Sequence, residues 1–222
     1  MRTLTKEIQN QLSPLDALKL LKNGNMRFVN NLKMNRNLLQ QVNDTRDGQH
    51  PFAVILSCID SRTSAELVFD QGLGDIFSVR IAGNVLNEDI LGSMEFACKV
   101  AGAKIIVVLG HTKCGAIKGA CEHVEMGNLT SLLRKVSPAI TKTGWEGPYT
   151  MKEVNKVAAN NVHYVMDEIP ERSPILKDMV QKAQIAIVGG MYDVETGKIK
   201  FFEHSGLIHE HQEMYVVDAA LA

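Results

Sequence analysis

Lys104-Ile105-Ile106-Val107-Val108-Leu109-Gly110-His111-Thr112-Lys113-Cys114 opens as an apolar, β-branched run and ends in an imidazole and a thiol. The aliphatic run between lysine and glycine reads as a strand buried on both faces. A second stretch has the same layout: Phe52-Ala53-Val54-Ile55-Leu56-Ser57 leads into Cys58-Ile59-Asp60-Ser61-Arg62. Strands covered on both faces belong to parallel sheets, and an open parallel sheet binds ligands beyond the carboxyl ends of its strands. Both polar clusters fall at such ends.

The flanking sequence supplies the rest of the alternation. Thr63-Ser64-Ala65-Glu66 suits a helix start, and Gly72-Leu73-Gly74 closes that unit. A strand follows from about Asp75 to Arg80. A turn at Gly83-Asn84 leads to a helix from Asp89 to Ala101, and Cys114-Gly115 opens another helix. Ala183 to Val188 reads as a strand ending at Gly189-Gly190. Met191-Tyr192-Asp193-Val194 and Lys198-Ile199-Lys200-Phe201-Phe202, around Glu195-Thr196-Gly197, read as an edge hairpin. Residues 130–174 are helical and loop-rich, with Trp145. The expected fold is therefore α/β: a mainly parallel β-sheet flanked by helices, with right-handed crossovers and a C-terminal edge hairpin.

Residues 1–50 read as an N-terminal helical arm. Ser13-Pro14 is a helix N-cap with proline at the first helical position. Leu15, Leu18, Leu21, Met26 and Phe28 form a stripe near helical spacing. From Asn30 to Gln49 the arm is rich in Asn and Gln and has no core of its own, so it is expected to lie across the domain or a second subunit. The whole chain, 1–222, reads as one domain, with the arm at 1–50 and the α/β core at 51–222.

The gross numbers exclude several classes. The chain has 222 residues, 45% of them hydrophobic, and a net charge of -1. That composition excludes a disordered chain and gives no basic footprint for nucleic acid. No apolar stretch approaches membrane-spanning length. The polar start, Met1-Arg2-Thr3-Leu4-Thr5-Lys6-Glu7, has no apolar signal segment behind it, and the four cysteines then point to a reducing, cytoplasmic setting. Cys98 and Cys121 read as small core residues. The G-x-G-x-x-G dinucleotide fingerprint is absent.

Two thiols and one imidazole at two strand ends suit zinc with three protein ligands, Cys58, His111 and Cys114, and one open position. Alone, a strand-end cysteine or an H-x-x-C is a weak signal, and Asp60 with Arg62 reads as a surface ion pair. The combination, C-x-D-x-R after one strand and H-x-x-C after another, is specific. Cys114 also sits where a helix begins, which favours its thiolate. Asp60 stands two residues from Cys58, near enough either to close the metal shell or to orient a nucleophile. A two-point clamp from Arg62 would hold it off the metal.

These motifs resemble the β-class carbonic anhydrases, over the chain from about Leu15 to Phe202. The resemblance implies one zinc per chain on Cys58, His111 and Cys114, with Asp60 and Arg62 as the catalytic dyad. It implies reversible hydration of carbon dioxide to bicarbonate and a proton by a zinc-bound hydroxide. The same site in relatives also implies two alternatives: hydrolysis of carbonyl sulfide or carbon disulfide, or a non-catalytic zinc-binding regulatory role. The complete dyad argues against the last. Gln49, Phe77 and Phe96 fall on the family's substrate-pocket positions, Phe96 where a tyrosine is usual. The family's allosteric branch carries a tryptophan where this chain has Ile55, so the resemblance favours the open-site branch. It further implies a homodimer or dimer-based tetramer, with the arm embracing the neighbour. His204, His209 and His211 near the C-terminus read as surface or interface residues, and Ser61 and Thr63 as turn and cap residues.

Overall fold

The computed structural model describes residues 3–202. The arm comprises α1 (Lys6–Gln11), α2 (Pro14–Val29) and α3 (Leu38–Thr45). The core then runs β1 (Ala53–Ser57), α4 (Ala65–Val68), β2 (Ile76–Arg80), α5 (Glu88–Glu95), β3 (Ile105–His111) and α6 (Gly115–Cys121). It continues with α7 (Gly127–Leu133), α8 (Ser137–Thr141), α9 (Met151–Arg172), α10 (Pro174–Gln181), β4 (Ala186–Tyr192) and β5 (Ile199–Phe201). A π-helical turn, Phe96–Val100, extends α5.

The five strands form one sheet in the order β2-β1-β3-β4-β5. The first four are parallel and β5 is antiparallel. This is the mainly parallel α/β sheet expected from the aliphatic runs. Side-chain alternation divides the core into two layers. Val54, Leu56, Ile106, Val108 and Ile187 face α5, α9 and α10. Ala53, Ile55, Ile105, Val107 and Val188 face α2 and α4. Both faces are covered, which is why β1 and β3 read as continuous apolar runs rather than alternating ones.

Two expectations need correction. β4 does not end at Gly189-Gly190; it runs through both glycines to Tyr192, and β5 pairs with its last residues. The glycines have a packing reason. A Cβ on Gly189 would lie 2.3 Å from Met166 Sδ and 2.7 Å from Val162 Cγ1. A Cβ on Gly110 of β3 would lie 2.6 Å from Val162 Cγ2. The two glycines are a floor on which α9 lies directly against the sheet. The second correction concerns α2. Met26 is exposed, and the buried face is instead Ala17, Leu18, Leu21, Gly24 and Asn25. Asn25 is buried because its amide donates to Val68 O and Gly197 O and accepts from Ile199 N.

The Ser13 cap is present, with Asp16 completing a reciprocal capping box. The arm is tied to its own domain by a buried ion cluster. Arg27 and Arg36 both engage Asp70, and Met34 N donates to the same carboxylate. Gln41 accepts from Leu73 N. Leu32, Leu38, Leu39 and Val42 remain exposed along the arm.

Replacing Gly189 with Ala tests the glycine floor. The methyl forces α9 off the sheet, an overpacking effect of about 1–3 kcal/mol. Urea denaturation should show that loss of stability; an unchanged midpoint would show that α9 does not need the close approach.

Candidate metal centre

The register of β1 on β3 sets the site. Ser57 pairs with Leu109, so the loop after β1 begins level with the last residues of β3. Cys58 is the first residue past β1, His111 is the last of β3, and Cys114 caps α6. His111 thus lies within the strand rather than beyond it. The two-residue link to Cys114 turns at Lys113, which adopts a left-handed φ of 56°. Asn155 of α9 accepts the Lys113 backbone N–H at 2.8 Å, and the Lys113 ammonium pairs with Glu195.

The ligand atoms of Cys58, His111 and Cys114 all lie within 4.8 Å of one another, and all three residues are buried. The two sulfurs are 3.9 Å apart. That is far beyond a disulfide bond. It matches two thiolates on one tetrahedral ion, where bonds of about 2.3 Å put the sulfurs about 3.8 Å apart. His111 Nδ1 lies 2.9 Å from the carbonyl of Thr112. A carbonyl only accepts, so Nδ1 carries the proton and Nε2 presents its lone pair. Nε2 is buried and has no hydrogen-bond partner among the described residues. An orphaned acceptor facing two paired sulfurs is what a soft divalent cation such as zinc requires.

The electrostatics agree. The Cys58 thiol is held well below its ordinary value, chiefly by the hydrogen bond with Cys114, with the Gly83 N–H assisting against burial. The Cys114 thiol is pushed up by that same hydrogen bond, by burial and by the Cys58 charge. The pair alone therefore favours one negative charge. A dication between the sulfurs reverses that preference and lets both ionise.

Asp60 and Arg62 form the clamp expected from their spacing. Arg62 Nε donates to Asp60 Oδ1 at 2.9 Å and Nη2 to Oδ2 at 2.8 Å, and Arg62 N also donates to Oδ1 at 3.0 Å. These bonds hold the Asp60 carboxyl at about 2. Oδ1 takes two of the three donors; Oδ2 keeps spare acceptor capacity and lies 3.9 Å from His111 Nε2. The Asp60 carboxylate is not part of the ligand cluster.

Several supporting residues had no legible signal. Arg80, the last residue of β2, donates to Cys58 O at 3.0 Å and to Asp60 O at 2.7 Å. Thr63 donates its hydroxyl to the same two carbonyls. These partners are backbone oxygens, which carry no residue signature. Gly83, read from sequence as part of a turn, donates its N–H to Cys58 Sγ at 3.3 Å.

A cleft of about 480 Å³, lined mainly by apolar atoms, opens beside Cys58 and Asp60, with Ile59, Ala82, Gly115 and Leu129 in its walls. Gln49, Phe77 and Phe96 are elsewhere in the chain. Phe77 and Phe96 pack edge to face, ring centres 6.2 Å apart, along a separate groove. Gln49 is exposed at the opposite end of β1 from Cys58. Five strand residues put roughly 17 Å between those ends. One chain alone does not bring these three residues to the ligands. Cys98 and Cys121 are buried thiols, pushed up by burial to about 12 and about 11. His204, His209 and His211 lie outside the described residues.

The sheet and the residue set define a doubly covered α/β protein with a buried Cys–His–Cys cluster, able to hold a metal ion, at its strand ends. A family model described as carbonic anhydrase matches residues 53–199. Carbonic anhydrase 2 of Mycobacterium tuberculosis is 35% identical over 206 residues, covering 89% of this chain and 97% of that protein. The carbonic anhydrase of Mycolicibacterium smegmatis is 34% identical over 204 residues, covering 89% and 98%. Among solved structures, the β-carbonic anhydrase CafA of Aspergillus fumigatus shares the fold with a TM-score of 0.68 at 24% identity, over 74% of this chain and 81% of that one. The chain belongs to the carbonic anhydrase family, in its β class.

Metal analysis of the purified protein should find about one zinc per chain. Cys114→Ser removes one of three ligands and should lose most of that zinc. Wild-type metal content in the serine variant would remove Cys114 from the site.

Proposed function

We propose that the protein catalyses the reversible hydration of carbon dioxide to bicarbonate and a proton at a zinc held by Cys58, His111 and Cys114. The observation that carries this reading is the unpartnered, buried Nε2 of His111 facing two sulfurs 3.9 Å apart, with a clamped carboxylate beside them. Zinc in such a site supplies Lewis acidity that makes water nucleophilic near neutral pH.

The chain's own residues would do the rest. The cleft beside Cys58, lined mainly by apolar atoms, would admit a small uncharged substrate. Asp60 Oδ2, with spare acceptor capacity, takes a hydrogen bond from the nucleophile and so orients its lone pair toward the cleft. Arg62 fixes the carboxylate plane through two parallel bonds, so Asp60 orients rather than ligates. Arg80 and Thr63 hold the carbonyls of Cys58 and Asp60, keeping ligand and carboxylate in one rigid turn.

Assembly as a homodimer or dimer-based tetramer belongs to the same proposal. The arm exposes Leu32, Leu38, Leu39 and Val42, and a second copy would cover them. Gln49, Phe77 and Phe96, remote from the ligands of their own chain, would act as pocket residues across that interface. Two β-carbonic anhydrases of Sordaria macrospora with this fold are tetrameric. Among the described residues no helix is long and apolar enough to cross a membrane. Four unpaired cysteines suit a reducing, cytoplasmic compartment.

Stopped-flow measurement with carbon dioxide, carbonyl sulfide and carbon disulfide tests the substrate. Carbon dioxide should turn over fastest; an inert zinc-loaded protein would refute the proposal. Arg62→Ala should lower kcat by two or more orders of magnitude, since the freed carboxylate can close the metal shell. Arg62→Lys should restore only part of the rate, because an ammonium cannot make the planar two-point clamp.

The pH dependence follows from charge. Asp60 is ionised from about pH 2 upward, so it contributes no limb near neutrality. Two thiolates leave the cation less acidifying than three imidazoles do. Activity should therefore rise from neutral toward alkaline pH, and a flat or falling profile would contradict this. For stability the sign is equally defined. Asp60 is depressed in the folded state, so the clamp's contribution is present above the unfolded value of about 3.9 and is lost as pH falls toward 2.

A further inference from the structure

The N–H of Gly83 that meets Cys58 Sγ does not come from a helix end or from the ligand's own loop. It comes from a tight turn between β2 and α5, where Gly83 adopts φ 67° and ψ 15°. The turn is tied to the sheet by Ile81 N to Ser57 O at 3.1 Å and closed by Asn84 N to Ile81 O at 2.9 Å. On its far side the Gly83 carbonyl accepts from Asn161 Nδ2 at 2.9 Å, across 78 residues of sequence. Asn161 lies in the middle of α9, wholly buried, on a helix face otherwise made of Val157, Ala158, Val162 and Val165.

Core packing does not account for this amide. Asn161 Oδ1 has no hydrogen-bond partner, and neither has the Nδ2 of the neighbouring Asn84. A half-satisfied amide in an apolar layer is destabilising relative to a well-packed aliphatic residue. Its one made bond fixes the Gly83 carbonyl, hence the ψ of that residue. With ψ fixed and φ in the left-handed region, the N–H on the other side of the same Cα points at the sulfur.

We propose that Asn161 is a positioning residue for the metal centre. Acting through Gly83, it holds an N–H against Cys58 and thereby sets how strongly that one thiolate donates charge to the metal. A hydrogen bond to a metal-bound sulfur draws charge from it, and such outer partners tune both affinity and activity. The Gly83 N–H meets Cys58, whereas Cys114, the N-cap of α6, makes no side-chain capping hydrogen bond, so the Asn161–Gly83 route acts on Cys58. The inference rests on the reading of Cys58, His111 and Cys114 as a metal centre.

Cobalt(II) substitution tests it, because sulfur-to-cobalt charge-transfer absorption reports sulfur donation directly. Asn161→Leu should move that band to longer wavelength at full cobalt loading and slow turnover several-fold with little change in KM. Asn161→Ala, which removes the donor with less steric demand, should move the band the same way and serves if the leucine variant does not fold. Gly83→Ala keeps Asn161 but strains the left-handed turn, and should give the same shift. A merely structural role would lower thermal stability and leave the band in place. A folded, fully loaded Asn161 variant with its band at the wild-type position would overturn the proposal. A wild-type protein that shows no thiolate–cobalt band would overturn the metal reading, and this inference with it.

Discussion

The parallel register of β1 against β3 is the constraint on which the site depends. With Ser57 opposite Leu109, the strand ends are level, and Cys58 meets His111 without either loop reaching. A slip of one residue would turn every side chain of β1 to the other face, sending Val54 and Leu56 into the wrong layer. The two cores thus enforce the register, and the register brings sulfur to imidazole. The meeting of Cys58 and His111 is therefore an outcome of strand pairing, while Cys114 depends on the turn at Lys113. Such a site can be buried and still reachable, since the cleft opens beyond the strand ends where the sheet itself stops.

The second constraint is the seating of α9 on Gly110 and Gly189. Because it lies directly on the sheet, α9 delivers two asparagines to two different loops. Asn155 holds the left-handed Lys113 between His111 and Cys114. Asn161 holds Gly83 beside Cys58. One helix thereby steadies both halves of the ligand set, and small residues in the sheet are what permit it. Loops at strand ends are ordinarily the mobile part of an α/β protein. Here each is anchored to a rigid element by an asparagine side chain, Asn155 at the exposed Lys113 and the buried Asn161 at Gly83.

This arrangement explains what was legible in the sequence. The aliphatic runs of β1 and β3 are buried on both faces, so their pattern identified strands and parallel pairing together. Cys58, Asp60, Arg62, His111 and Cys114 were legible because each contributes its own side-chain chemistry at a fixed offset from a strand. Arg80 and Asn161 were not, because they act on backbone carbonyls that any residue could supply, and Thr63 was legible only as a turn residue. Gly189-Gly190 misled for a related reason: glycine marks a strand end when judged locally, whereas here Gly189 marks a helix pressed close and Gly190 the close pairing with β5. Met26 fell on the helical period but outside the buried face, since α2 turns Asn25 inward to bond Val68, Gly197 and Ile199. Gln49, Phe77 and Phe96 came from resemblance, and no single-chain geometry joins them to the ligands.

Charge balance ties the site to its chemistry. Two thiolates cancel a dication, a neutral His111 adds nothing, and Arg62 cancels Asp60. The whole assembly is close to neutral, which suits burial beside an apolar cleft, where an uncompensated charge would be strongly disfavoured. The same cancellation has a chemical consequence. A cation already neutralised by sulfur polarises water less than one surrounded by imidazoles, so whatever draws charge off a thiolate makes the centre more acidifying. The Gly83 N–H at Cys58 does so. A site built from sulfur for neutral metal binding therefore needs hydrogen-bond donors aimed at that sulfur if it is to activate water, and Cys58 has one in the Gly83 N–H.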